Sequence, residues 1–123
     1  MKTIATSNAP GAIGPYSQGC EANGFVFTSG QIAIIPDTGE IAEGIQAQAN
    51  QCCQNVGAIL EAAGTGFDSV IKTTCFLADM EDFTVFNEIY AGYFRSKPAR
   101  SCVAVKELPK GVLCEIEAIA VKN

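Results

Sequence analysis

The chain has 123 residues, 48% of them hydrophobic and 17% charged, with a net charge of −5. That is the length of a single domain, here residues 1–123, with enough apolar content for a packed core. The acidic balance argues against nucleic-acid binding and against docking on an anionic membrane, because both call for a basic surface.

The opening stretch, MKTIATSNAPGAIG, has one lysine and no continuous apolar run, so no signal peptide is expected. No segment approaches the ~18 consecutive apolar residues of a membrane span. The protein is read as soluble and cytoplasmic. AIGPYSQ, residues 12–18, is a Gly-Pro turn that presents the ring and hydroxyl of Tyr16. GFVFTSGQI, Gly24 to Ile32, is aromatic and β-branched and is followed by PDTG: a strand and then a turn. Ser29 and Gly30 lie at its end, where a glycine lets another group approach the backbone.

Ile45 to Ala63 places Ile45, Ala49, Cys52, Cys53, Val56, Ile59, Leu60 and Ala63 at helical spacing, and Gly64 supplies a stop. Ser69 to Leu77 is a β-branched strand. Asp79 to Phe94 is predicted as a second helix, with Asp79 as N-cap and an apolar stripe of Phe83, Phe86, Tyr90 and Phe94. Arg100 to Val105 and Leu113 to Val121 are strands joined by a short connection holding Pro109 and Gly111, and are predicted to pair as a hairpin. The order β-α-β-α-β-β implies an α+β domain: a mixed sheet with both helices on one face. Apolar residues on both sides of the strands leave the other sheet face for a second copy, so a closed homo-oligomer is expected.

The six cysteines, Cys20, Cys52, Cys53, Cys75, Cys102 and Cys114, form no CxxC pair, and the chain has no histidine. No metal site and no disulfide framework are expected. Without histidine, Ser-His and Cys-His catalysis are excluded. Most of the thiols read as small buried hydrophobes.

The informative residues are polar groups at apolar positions. Asn87 lies on the stripe of the second helix, where a buried amide needs partners. Its plain reading is an asparagine that ties down a neighbouring loop. In LCEIEAIAV, Glu115 and Glu117 share a strand face and form a candidate acid/base pair, although a solvated edge suits Glu117 better. Arg100 stands at the mouth of an apolar strand, and its partner is a carboxylate, either that of Glu115 across the hairpin or that of a ligand. Cys102 shares a strand face with Arg100, whose cation is expected to lower the thiol pKa.

AIGPYSQG, TSGQI, DFTVFNEIY, KPARSCV and ELPKGVLCEIEAIAV follow one another in this chain, with PDTGE and EAAG between them. In this combination the chain resembles the reactive intermediate deaminase family (RidA, also called YjgF). The resemblance covers essentially the whole sequence. It implies a chorismate-mutase-like α+β fold in a homotrimer with sites in the clefts between subunits. It also implies hydrolysis of 2-enamine and 2-imino acids, such as 2-aminoacrylate, to 2-keto acids and ammonia, with no metal or organic cofactor. The family's site residues fall on Tyr16, Ser29, Gly30, Asn87, Arg100, Cys102 and Glu115. Ala33 and Ile35 stand where the family more often has a proline and a polar residue, which bears on the neighbouring loop or on substrate preference.

These residues suit the chemistry. Arg100 can grip a carboxylate with two parallel hydrogen bonds. Glu115 can activate water and return the proton to the leaving nitrogen. Backbone groups at Gly30 and Cys102 can contact the substrate, Tyr16 can wall the pocket, and Asn87 can support it. The sulfur of Cys102 is expected to matter less than its position. The competing reading is a regulatory module that binds small carboxylates without turnover.

Overall fold

The computed structural model describes residues 1–122. Its elements in chain order are β1 (Lys2–Ile4), β2 (Gly19–Ala22), β3 (Phe25–Thr28), α1 (Ile45–Ala62), β4 (Val70–Leu77), α2 (Phe83–Tyr93), β5 (Ala99–Ala104) and β6 (Cys114–Val121). One six-stranded sheet runs β1-β2-β3-β6-β4-β5. The α+β architecture agrees with the sequence reading. α1 ends at Ala62, and Gly64 follows in the left-handed region at φ 84°. The second helix starts later than its periodicity predicts. Asp79 caps a single 3₁₀ turn, accepting a hydrogen bond from the Glu81 N–H, and the α-helix begins only at Phe83.

The predicted β5–β6 hairpin does not form. β6 lies antiparallel between β3 and β4, and β5 pairs in parallel with the far side of β4. The two crossovers, β3-α1-β4 and β4-α2-β5, explain this. β3 and β4 run parallel but are not adjacent, and the short β5–β6 connection holds no crossover helix, so β6 returns antiparallel through the slot between them. β6 suits that slot: Cys114, Ile116, Ala118 and Ala120 are buried beneath the helices, while Glu115, Glu117, Ile119 and Val121 between them are only half-buried. β5 is left as an edge.

The core lies between the helices and one sheet face. Cys52, Cys53, Val56, Ile59 and Leu60 of α1 and Phe86 of α2 meet Val26, Cys75, Leu77, Cys114 and Ile116 of the sheet. All six cysteines are free thiols, and Cys52, Cys53, Cys75 and Cys114 are fully buried. The opposite face has no helix over it. Phe25, Phe27 and Val103 on it are 38%, 42% and 46% exposed. No helix of the described residues is long and apolar enough to cross a membrane.

One buried amide ties the core to the loop after β3. Asn55 of α1 is fully buried, and its Nδ2 donates to the carbonyls of Ile32 at 3.0 Å and Ile34 at 2.9 Å. Asn55→Leu removes the donor to the Ile34 carbonyl and leaves the Ile32 carbonyl with the Ile34 N–H alone, at 2.9 Å. The expected cost is about 1–3 kcal/mol, read as a lower midpoint in urea denaturation with an unchanged slope.

Candidate active site

Two recesses divide six of the seven sequence-predicted residues between them, and Cys102 lines neither. The first, of about 320 Å³, opens between α2 and the start of β5. Arg100 sits beside Thr73 of β4, on the helix-covered face. Its guanidinium carbon lies 4.7 Å from the Tyr90 ring centroid and 5.6 Å from that of Phe83. Its Nη1 donates to Asn87 Oδ1 at 2.8 Å. Phe83, Asn87 and Tyr90 are spaced four and three residues apart, so a single helix face builds the whole cradle. Beneath it the Tyr90 hydroxyl and Thr73 Oγ1 are hydrogen-bonded at 2.6 Å, and both residues are buried. Burial raises the Tyr90 phenol above its ordinary pKa, which keeps this platform neutral.

Among the described residues Arg100 has no carboxylate partner; the one salt bridge found joins Lys122 to Glu21 at 3.0 Å. A half-buried guanidinium has five N–H donors. This one is met by a single amide oxygen and two ring faces, an arrangement that leaves donors for an anion. Asn87 therefore ties down the arginine rather than a loop. An Arg100–Glu115 salt bridge within the chain is ruled out: β4 lies between the two strands, and the two residues face opposite sides of the sheet.

Cys102 sits beside Cys75 on the same face as Arg100. Its thiol is pushed up rather than down, because burial outweighs the pull of the nearby guanidinium. This corrects the expectation of a thiol lowered by its cation, and it leaves Cys102 a poor nucleophile.

The second recess, of about 340 Å³, brings together Tyr16, Ser29, Gly30 and Glu115. Ile13, Ile32, Ile34 and Pro109 give it apolar walls. Tyr16 is 51% exposed, and its N–H closes the turn onto the Gly14 carbonyl at 2.8 Å. The Ser29 hydroxyl donates to the Ser17 carbonyl, so it secures the Tyr16 turn. Gly30 is required for steric reasons. A Cβ placed there would overlap Oε2 of Glu115 and come within 2.9 Å of its carboxyl carbon. The carboxylate lies directly against this bare stretch of backbone. Burial, among neighbours that include Phe76 across the β4 ladder, raises the Glu115 pKa, and the like charge of Glu117 adds to the rise.

Several contributors went unnoticed in the sequence. Gln18 holds the wall in place, accepting from the Thr6 N–H at 2.7 Å and donating to the carbonyl of Pro10 at 2.8 Å. Asn55 fixes Ile32 and Ile34, and Tyr90 and Thr73 form the platform. For Asn55 a signal was available: an amide between Cys52 and Ile59 on an otherwise apolar helix stripe. Tyr90 read as core, and only the tertiary structure sets Arg100 on its ring.

The raised carboxyl has a thermodynamic consequence. Between the unfolded-state pKa and the higher folded-state pKa, the folded chain binds more protons than the unfolded one. Stability therefore falls as pH rises through that interval. Glu115→Gln removes this loss. The variant should melt at a higher temperature than the parent at about pH 8 and level with it at about pH 3, well below the ordinary glutamate pKa, where Glu115 is protonated in both states. A variant that melts below the parent at pH 8 would contradict the raised pKa.

Comparison with known proteins fits this geometry. Residues 6–122 match the family described as endoribonuclease L-PSP. The chain is 53% identical to a protein of Salmonella typhimurium named 2-iminobutanoate/2-iminopropanoate deaminase, over 99% of this chain and 98% of the relative. It also superposes on the crystal structure of Escherichia coli TdcF with bound serine, at a TM-score of 0.96 and 50% identity, covering 100% of both chains. The crystal structure of the YjgF gene product of E. coli matches equally well, with a TM-score of 0.96, 50% identity and 100% of each chain covered. With its sequence motifs, its sheet order and its whole length in agreement with these proteins, the chain belongs to the endoribonuclease L-PSP family, that of the YjgF and RidA proteins.

Proposed function

We propose that this chain is a cofactor-independent deaminase. It hydrolyses reactive 2-imino and 2-enamine acids, such as 2-aminoacrylate, 2-iminopropanoate and 2-iminobutanoate, to 2-keto acids and ammonia. The observation that carries the reading is Arg100, a cradled guanidinium without a carboxylate partner among the described residues. Its chemistry fits the carboxylate common to all these substrates. The name of the Salmonella relative supports the reaction class. So does the serine bound by TdcF, because an amino acid carries the same carboxylate beside its α-carbon. The net charge of −5 favours a small acid over RNA as the ligand.

An enamine such as 2-aminoacrylate first takes a proton from solvent at its terminal carbon, and the substrate then reacts as an iminium, with Arg100 holding its carboxylate. Water adds to the C=N carbon; the π pair moves to nitrogen, and the water proton passes to the Glu115 carboxylate. Glu115 then protonates the nitrogen of the carbinolamine. As the C–N bond breaks, the hydroxyl proton returns to Glu115 and the keto group forms; Glu115 then passes that proton to the departing ammonia, which leaves as ammonium and restores the carboxylate. A raised carboxyl pKa suits a group that must both take and give a proton. The backbone at Gly30 and Cys102 contacts the substrate, Tyr16 walls the pocket, Ser29 fixes the Tyr16 turn and Asn87 steadies Arg100.

Arg100 and Glu115 face opposite sides of one sheet, so the full set assembles between copies. We take the assembly to be a homotrimer closed over the exposed Phe25, Phe27 and Val103, with Arg100 of one copy meeting Glu115 of the next. Light scattering should return three chain masses.

The deaminase reading is tested by coupling the protein to a dehydratase that releases 2-aminoacrylate and following keto-acid formation. Acceleration supports it, and none rejects it. Arg100→Ala should cut kcat/KM by at least about a hundredfold, and Arg100→Lys by about tenfold, since the fork is lost. Glu115→Gln should lower kcat by about 10²–10⁴-fold. Refolding an equal mixture of the two inactive variants, Arg100→Ala and Glu115→Gln, should restore about a quarter of the activity if each site draws on two chains. No recovery would place the site within one chain.

A further inference from the structure

The cleft that holds Arg100 is lined by two more cations, Arg95 and Lys97, and by no acidic residue. The chain has only eight lysines and arginines against thirteen acidic residues. Three of those eight therefore gather at one recess of an acidic protein. Neither Arg95 nor Lys97 takes part in the one salt bridge found among the described residues, and both side chains are exposed. Their backbone is fixed: the Lys97 N–H donates to the Phe94 carbonyl at 3.2 Å, Lys97 adopts φ 54°, and Pro98 follows. This short closed turn leads directly into β5, so the two charges are held on the rim of the recess that contains the guanidinium.

The physics follows from the sign of the charges. A chain of charge −5 repels an approaching carboxylate at long range, and two exposed cations on the rim reverse that field locally. Charges on the wall of a cleft raise local ligand concentration and association rate by 10-fold or more, in proportion to ligand charge and subject to screening by salt. Resting on the deaminase reading, we propose that Arg95 and Lys97 are specificity-determining residues. They draw anionic 2-imino acids toward Arg100, and they favour substrates with a second carboxylate over those with one. They act through space and touch no reacting atom.

The experiment compares the imine of alanine, a monocarboxylate, with the imine of aspartate, a dicarboxylate. Each is generated in place by an amino acid oxidase and followed at roughly 20 and 200 mM salt, a span over which screening shortens markedly. For the parent, kcat/KM should fall with salt, and more steeply for the dicarboxylate. Arg95→Gln with Lys97→Gln should lower kcat/KM at low salt by about threefold for the monocarboxylate and about tenfold for the dicarboxylate, and flatten both salt slopes. It should leave kcat unchanged. Arg95→Glu should deepen the loss. Equal salt slopes for parent and double variant, or equal losses for the two imines, would overturn the inference. If the parent turned over neither imine, the deaminase reading itself would fall.

Discussion

The structure depends on one pairing constraint. The β3-α1-β4 crossover lays β3 and β4 parallel with a slot between them, and the short β5–β6 connection, which holds no crossover helix, brings the last strand back through that slot antiparallel to both. β6 fills it, and the side-chain positions follow. Its even-numbered residues become the middle of the core, and its odd-numbered residues face outward. Glu115 is thereby set against Gly30, and β5, displaced to the edge, presents Arg100 on the opposite face. Separation of the two most chemically capable side chains is therefore a property of the sheet order and not of any local choice of residue.

Much of this was legible in the sequence, and the failures have physical causes. Helix α1, its glycine stop and the strand faces followed from periodicity, which is a local signal. The grouping of Arg100 with Cys102, and of Glu115 with Glu117, was right for the same reason. The hairpin was wrong because strand pairing is a long-range matter: a short connection between β5 and β6 is compatible with adjacency but does not require it. That error placed Arg100 and Glu115 side by side. The thiol of Cys102 was misjudged because a neighbouring cation shows in a sequence while burial, the larger effect, does not. Asn87 was noticed because it interrupts a stripe. Tyr90 was passed over because it continues one.

Both halves of the candidate site carry a cost that a purely structural protein would avoid. A carboxylate pressed onto backbone with a raised pKa, and a guanidinium met only by an amide and two rings, are arrangements that leave charge under-compensated. The scaffold around them is correspondingly well satisfied: Gln18, Asn55, Thr73 and Tyr90 all have partners, and no buried side-chain nitrogen or oxygen among the described residues lacks one. Local tension at the site, with rigid support around it, is the pattern expected of pre-organised chemistry.

The thiols inside the core also make the fold self-reporting. Cys52, Cys53, Cys75 and Cys114 are fully enclosed, and burial pushes the Cys75 thiol up to about 12. A thiol in this condition is silent toward alkylating reagents until the packing around it opens. Their labelling rates are therefore clocks for local opening of the layer between α1 and the sheet, read on the native chain without an introduced probe. The half-buried Cys20 and Cys102 keep time nearer the surface. Mass spectrometry of a brief labelling pulse would resolve which part of the domain breathes first.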